Sequence, residues 1–120
     1  MLKVLIADDE EKICQLIIKL INWEEMGLKI AATASNGIEA LEQAKICKPE
    51  ILITDIRMPG IDGMELIRKV KEKLPDTEII IISGYRHFEY AQTAIRYGVR
   101  NYLLKPIKKE ELRDTLQKIA

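Results

Sequence analysis

The sequence predicts an open α/β fold: a parallel sheet covered by helices on both faces. Three observations predict it. Five short apolar runs alternate with amphipathic segments, the runs are apolar throughout, and polar groups recur just past the ends of four of them. Strict alternation requires crossover connections, hence parallel strands with helices packed on both sides. Continuous apolar character fits strands buried on both faces. In such a sheet, residues just past the carboxyl ends of the strands share one edge, where ligands bind.

The elements follow in order. The first strand, Leu2–Ala7, runs into Asp8-Asp9-Glu10, and Ile13, Leu16, Ile17, Leu20 and Ile21 mark one face of the first helix. The second strand, Lys29–Ala34, is the least apolar and is expected at an edge. Asn36 precedes Gly37 and suits the cap of a helix marked by Ile38, Leu41 and Ala44. The third strand covers Ile51–Asp55, and Leu66, Ile67, Val70 and Leu74 face inward from the third helix. The fourth, Glu78–Ser83, precedes a helix marked by Phe88, Ala91, Ala94 and Ile95 and stopped at Gly98. The fifth, Asn101–Leu104, ends in Lys105-Pro106, and Leu112, Leu116 and Ile119 mark the last helix. Pro49 and Pro75 stand after helix ends, where a missing amide hydrogen does least harm.

Bulk composition bounds the function. The 120 residues predict one domain spanning 1–120, burying roughly two thirds of the unfolded chain's surface. Apolar content is 48% and charged content 32%, which argues against disorder. Acidic and basic residues balance at 19 each, so nothing supports nucleic-acid binding by this segment itself. The apolar runs are too short for a membrane span, and the start leads straight into a strand, leaving no room for a signal peptide. Cys14 and Cys47 lack metal or redox spacing and read as reduced thiols of a cytoplasmic protein, although two cysteines are compatible with a disulfide on count alone.

The chemistry lies at the strand ends. Asp8 and Asp9 follow the first strand and Asp55 closes the third, and carboxylates this close together imply a cation. Hard oxygen donors favour Mg²⁺, which takes one or two carboxylates plus waters and phosphate oxygens. Lys105 supplies a point charge for a phosphate oxygen, and Ser83 a hydroxyl donor. Singly, these acids read as helix-start or turn groups and Lys105 as a solvated lysine. Together, at the ends of separate strands, they read as a phosphoryl-transfer site with a carboxylate nucleophile.

The chain resembles the receiver domain of bacterial two-component response regulators over essentially all its length. The residues that carry the resemblance are Ile6-Ala7-Asp8-Asp9-Glu10, Thr54 to Gly63, Ser83-Gly84 and Tyr102-Leu103-Leu104-Lys105-Pro106. It implies a flavodoxin-like (βα)5 sandwich with strand order 2-1-3-4-5, an order known from the chemotaxis receiver. It further implies that Asp55 accepts a phosphoryl group from a histidine kinase. Asp9, Asp55 and the Arg57 backbone carbonyl would ligate Mg²⁺, and Asp8 would act mainly through a bound water. Lys105 would pair with Asp55 and then with the phosphoryl group, across a cis Lys105–Pro106 bond. Asp62-Gly63 would open the third helix. Ser83 would move toward the phosphoryl group and Tyr102 would turn from an exposed to a buried rotamer. Arg57 and Tyr85, two residues beyond Asp55 and Ser83, would modulate the phosphoryl lifetime, and their bulk predicts slow self-dephosphorylation.

A narrower resemblance, in Asn22 to Gly27 and Arg86 to Ala91, is to regulators carrying an AraC-type DNA-binding domain. It implies DNA contact only through an output domain beyond this segment. Trp23 and Phe88 read equally as packing residues, and His87 as a surface residue. The fourth helix, fifth strand and fifth helix are the implied homodimer face, with Tyr90, Arg96, Tyr97 and Arg100 upon it. Two other functions share the architecture. An aspartyl phosphatase would want an acid two residues beyond its nucleophile, where this chain has Arg57. A flavin or nucleotide module would want a Gly-rich phosphate loop, which the sequence lacks.

Overall fold

In the computed structural model of the chain, residues 1–84 and 88–120 are described, Phe88 by its backbone alone. Five parallel strands form one sheet in the order β2-β1-β3-β4-β5. They are β1 Leu2–Ala7, β2 Leu28–Ala34, β3 Ile51–Thr54, β4 Glu78–Ser83 and β5 Asn101–Leu104. Between and after them run α1 Glu11–Leu20, α2 Gly37–Cys47, α3 Gly63–Lys73, α4 Phe88–Arg96 and α5 Lys109–Ile119. A short 3-10 turn at Glu24–Met26 precedes β2.

Alternation along the buried strands builds two cores. Val4, Ile6, Ile51, Ile53, Ile80 and Ile82 face α1 and α5, meeting Ile17 and Leu116 among others. Leu5, Leu52, Ile79 and Ile81 face the opposite layer and meet Ala40, Leu66, Ile67 and Ala94. The second strand does lie at an edge, where a bulge opposite Val4 and Leu5 leaves Ala31 out of the register. Trp23 is buried and donates its indole N–H to Ile18 O at 3.0 Å, which makes it a packing residue.

Local signals behave as the sequence predicts. Asn36 caps α2 by accepting from Glu39 N at 2.8 Å, and Asp62 caps α3 by accepting from Glu65 N at 2.9 Å. Gly98 takes a positive φ of 69° past α4. Cys14 and Cys47 are free thiols. Among the described residues no helix is long and apolar enough to cross a membrane.

Three side chains expected on buried helix faces are exposed instead: Leu16 at 41%, Ile38 at 53% and Ile95 at 79%. On α1 the stripe that packs is Cys14, Ile17 and Ile21, one position away from Leu16. α2 lies close to the sheet through Gly37, Ala40 and Ala44, so the larger Ile38 is turned outward. α4 packs through Ala94, leaving its neighbour Ile95 outside. β2 begins one residue earlier than expected, and β3 ends at Thr54, one residue before Asp55.

Candidate phosphoryl-transfer and metal site

The sheet register places the acids side by side. Ala7 pairs with Thr54, so the next residues, Asp8 and Asp55, leave neighbouring strands at the same level. Backbone bonds extend the ladder into the site: Asp8 N donates to Ala34 O at 3.0 Å, and Asp55 N to Ala7 O at 3.0 Å. On the far side Lys105 N donates to Ser83 O at 2.9 Å, carrying the lysine back over the same edge. The Lys105–Pro106 bond is cis.

Each side chain is held from more than one direction. Asp55 Oδ1 accepts from Ile56 N at 2.7 Å, and Oδ2 accepts from Lys105 Nζ at 3.0 Å. Asp8 Oδ1 accepts from Glu10 N at 2.9 Å, and its Oδ2 lies 3.2 Å from Lys105 Nζ. Lys105 therefore bridges two carboxylates, where the sequence assigned it only to Asp55. The missed signal was register, since only the β1–β3 pairing makes Asp8 and Asp55 neighbours. Asp55 is 6% exposed, recessed but open to solvent.

Burial and charge compete here. Burial pushes the Asp8 carboxyl above its ordinary range, against the Glu10 amide and Lys105, which lower it without prevailing. For Lys105 burial acts to lower the ammonium pKa, yet Asp55 and Asp8 together leave it raised. The lysine is thus a fixed cation at neutral pH.

Asp8, Asp9 and Asp55 each offer an oxygen within 4.8 Å of the others, with Asp9 exposed. Three carboxylates facing one ammonium leave about two negative charges uncompensated, and the donors are all hard oxygens. That set fits a divalent cation of the Mg²⁺ kind. Arg57, also expected to contribute, follows Asp55 on the loop to α3 and is exposed.

A glycine shapes the root of that loop. A Cβ on Gly63 would lie 2.7 Å from Ile56 Cα and 3.0 Å from the Asp55 carbonyl carbon, so only glycine lets α3 start against the Asp55 backbone. Gly63 N donates to Ile56 O at 2.5 Å across the same gap. Nothing in the sequence alone reveals this approach beyond the Asp62-Gly63 turn signal.

Ser83 is fully buried at the end of β4. Ile81 pairs with Tyr102, which makes Tyr102 and Ser83 diagonal neighbours on one sheet face, and their hydroxyls share a hydrogen bond. Burial pushes the Tyr102 phenol up, with the Ser83 bond acting against it. Tyr102 is half-buried. Tyr85, Arg86 and His87 lie outside the described residues, as does the Phe88 side chain.

Comparison with known proteins agrees with this geometry. Residues 4–117 match the model of the response regulator receiver domain. The transcriptional regulatory protein YesN of Bacillus subtilis is 44% identical over 119 residues, covering 99% of this chain and 32% of the relative. HptR of Staphylococcus aureus, also a transcriptional regulatory protein, is 38% identical over 100% of this chain and 47% of its own length. The chain thus spans less than half the length of these curated relatives. Among solved structures, the REC domain of AraT, a response regulator from Geobacillus stearothermophilus, superposes with a TM-score of 0.93 at 44% identity, over 98% of this chain and 92% of that one. A two-component transcriptional regulator AraC from Clostridium phytofermentans gives 0.90 at 36% identity, over 99% and 92%.

Proposed function

The chain belongs to the response regulator receiver domain family, and on that footing we propose that Asp55 accepts a phosphoryl group from the phosphohistidine of a histidine kinase. The observation that carries this reading is the Lys105 bridge between Asp55 and Asp8, with Asp9 within reach of both. An Asp55 carboxylate oxygen attacks phosphorus as the phosphorus–nitrogen bond breaks, and the electron pair and a proton go to the departing imidazole. Mg²⁺, when bound, neutralises charge on the phosphoryl oxygens. Asp8, Asp9, Asp55 and the Arg57 carbonyl would hold it, Asp8 mainly through water. Lys105 exchanges one Asp55 oxygen for a phosphoryl oxygen without changing its own charge. Arg57, two residues beyond Asp55 in sequence, and Tyr85, two beyond Ser83, slow hydrolysis of the acyl phosphate through their bulk.

The phosphoryl group adds about −1.5 to −2 charges beside Ser83. Ser83 then donates to a phosphoryl oxygen and gives up its bond with Tyr102, whose ring settles further inward. This alters the face of α4, β5 and α5, where two copies pair. Through an output domain of the longer protein the signal reaches transcription, in keeping with the relatives' names. The whole acts in the cytoplasm.

Incubation with acetyl phosphate or phosphoramidate and Mg²⁺, followed by intact mass, tests the reading. One base-labile phosphoryl adduct is expected, lost in Asp55→Asn and in excess chelator. Multiple turnover of an unrelated phosphoester would favour a phosphatase instead.

A further inference from the structure

The loop that leaves Asp55 rests on a second helix as well as on α3. α2 begins at Gly37, which is buried, and the chain passes over it just before Asp62. A Cβ on Gly37 would stand 2.5 Å from Ile61 Cγ1 and 3.0 Å from the Ile61 carbonyl carbon, with the carbonyl oxygen closer still. Gly37 is not among the residues with positive φ, so space alone demands glycine here. The next residue, Ile38, lies over the same loop: its Cδ1 would be 3.0 Å from a Cβ on Gly60.

The loop is therefore seated at both ends by backbone contacts. Gly63 fixes its root against Asp55 and Ile56, and Gly37 fixes its far end at Ile61. Arg57 lies between the two seats. A side chain can rotate out of a clash, but a carbonyl in a loop tied at both ends moves only with its neighbours. Mg²⁺ holds its ligands at about 2.0–2.1 Å in near-ideal octahedral geometry. A displacement on the order of an ångström at Ile61, shared along Ile56 to Gly60, exceeds that tolerance.

We propose that Gly37 is a positioning residue of the metal site: its missing side chain seats the Asp55–Asp62 loop on α2 and thereby sets Mg²⁺ affinity. The proposal rests on the reading of Asp55 and its neighbours as a Mg²⁺-dependent phosphoacceptor site.

Calorimetric Mg²⁺ titration of this chain tests it, with melting temperature in chelator measured alongside. Gly37→Ala is expected to weaken Mg²⁺ about tenfold or more, the usual scale when support behind a ligand is lost. Amide resonances of Ile56 to Met58, Gly60 and Ile61 should also shift in the metal-free protein. Ile17→Val, a core change under α1, should lower the melting temperature and leave the Mg²⁺ affinity alone. Adding Ile61→Ala to Gly37→Ala should not restore affinity, because the carbonyl remains in the way. Unchanged affinity in folded Gly37→Ala, or full recovery in the double variant, overturns the proposal. If Gly37→Ala does not fold, Ile61→Gly frees the seat from the loop side and is expected to weaken Mg²⁺ several-fold; no change there also overturns it. A parent chain that binds no Mg²⁺ and is not phosphorylated on Asp55 defeats the underlying reading. A parent that does both while the variants match it defeats only the role of Gly37.

Discussion

The Lys105 ammonium stands 3.2 Å from Asp8 Oδ2, almost as close as it comes to the Asp55 carboxylate at 3.0 Å. Both acids are buried, so this one cation compensates two charges that solvent reaches poorly. On the proposed reading of Asp55 as phosphoacceptor, it also sits where a phosphoryl oxygen would arrive.

Removing that cation should expose the cost of the acids. Lys105→Ala is expected to lose about 3 kcal/mol in chelator, as when one partner leaves a buried ion pair. Added Mg²⁺ should raise its melting temperature more than that of the parent, since bound metal stabilises the folded state by mass action. Chemical denaturation with and without Mg²⁺ measures both effects, and equal Mg²⁺ increments would count against a shared charge site.

Asp8 gives a pH prediction. Its folded carboxyl titrates above the ordinary value of about 4, so the folded chain holds that proton after the unfolded chain has lost it. The contribution of this group is therefore full below about pH 4 and falls as pH rises through the folded value. At neutral pH in chelator the ionised Asp8 is a net cost, and Asp8→Asn should melt higher than the parent. The gain should vanish below about pH 4, and Mg²⁺ affinity should fall. Thermal melts across pH would show the crossover.

Ser83 and Tyr102 predict a measurable coupling. Each of Ser83→Ala and Tyr102→Phe removes their shared hydrogen bond, at about 0.5–1.5 kcal/mol. The double variant should cost less than the sum of the two, with an interaction energy of about 1 kcal/mol. Strict additivity in urea unfolding would mean that the two hydroxyls do not depend on each other.

Exposed Ile95 on α4 offers a test of copy pairing. Ile95→Glu should leave the unfolding free energy within about 0.5 kcal/mol of the parent, as exposed substitutions do. It should still accept phosphate on Asp55 while reducing any phosphorylation-dependent dimer in sedimentation velocity. A dimer of unchanged strength would place the contact elsewhere.

Strand positions were legible because the runs are mostly apolar and several stop at a charged or small polar residue, as Ile53-Thr54-Asp55 does. The end-of-strand acids and Lys105 were legible for the same reason: a polar group directly after a buried run has only the sheet edge to occupy. Exposure of Leu16, Ile38 and Ile95 was not legible, because adjacent helical stripes share apolar residues and only packing selects between them. The seats at Gly37 and Gly63 were hidden too. They depend on how closely two backbones approach, and sequence spacing carries no such distance.

The irregularity at Ala31 reaches past its own strand pair. β2 is the sheet's outer rim on that side, where a foreign extended segment would look for an unbroken row of amides and carbonyls. The additional residue bends the rim and breaks that row midway, so a neighbouring molecule cannot lengthen the sheet there. The fold thereby carries a built-in guard against edge-to-edge stacking, placed on the flank away from β4 and β5.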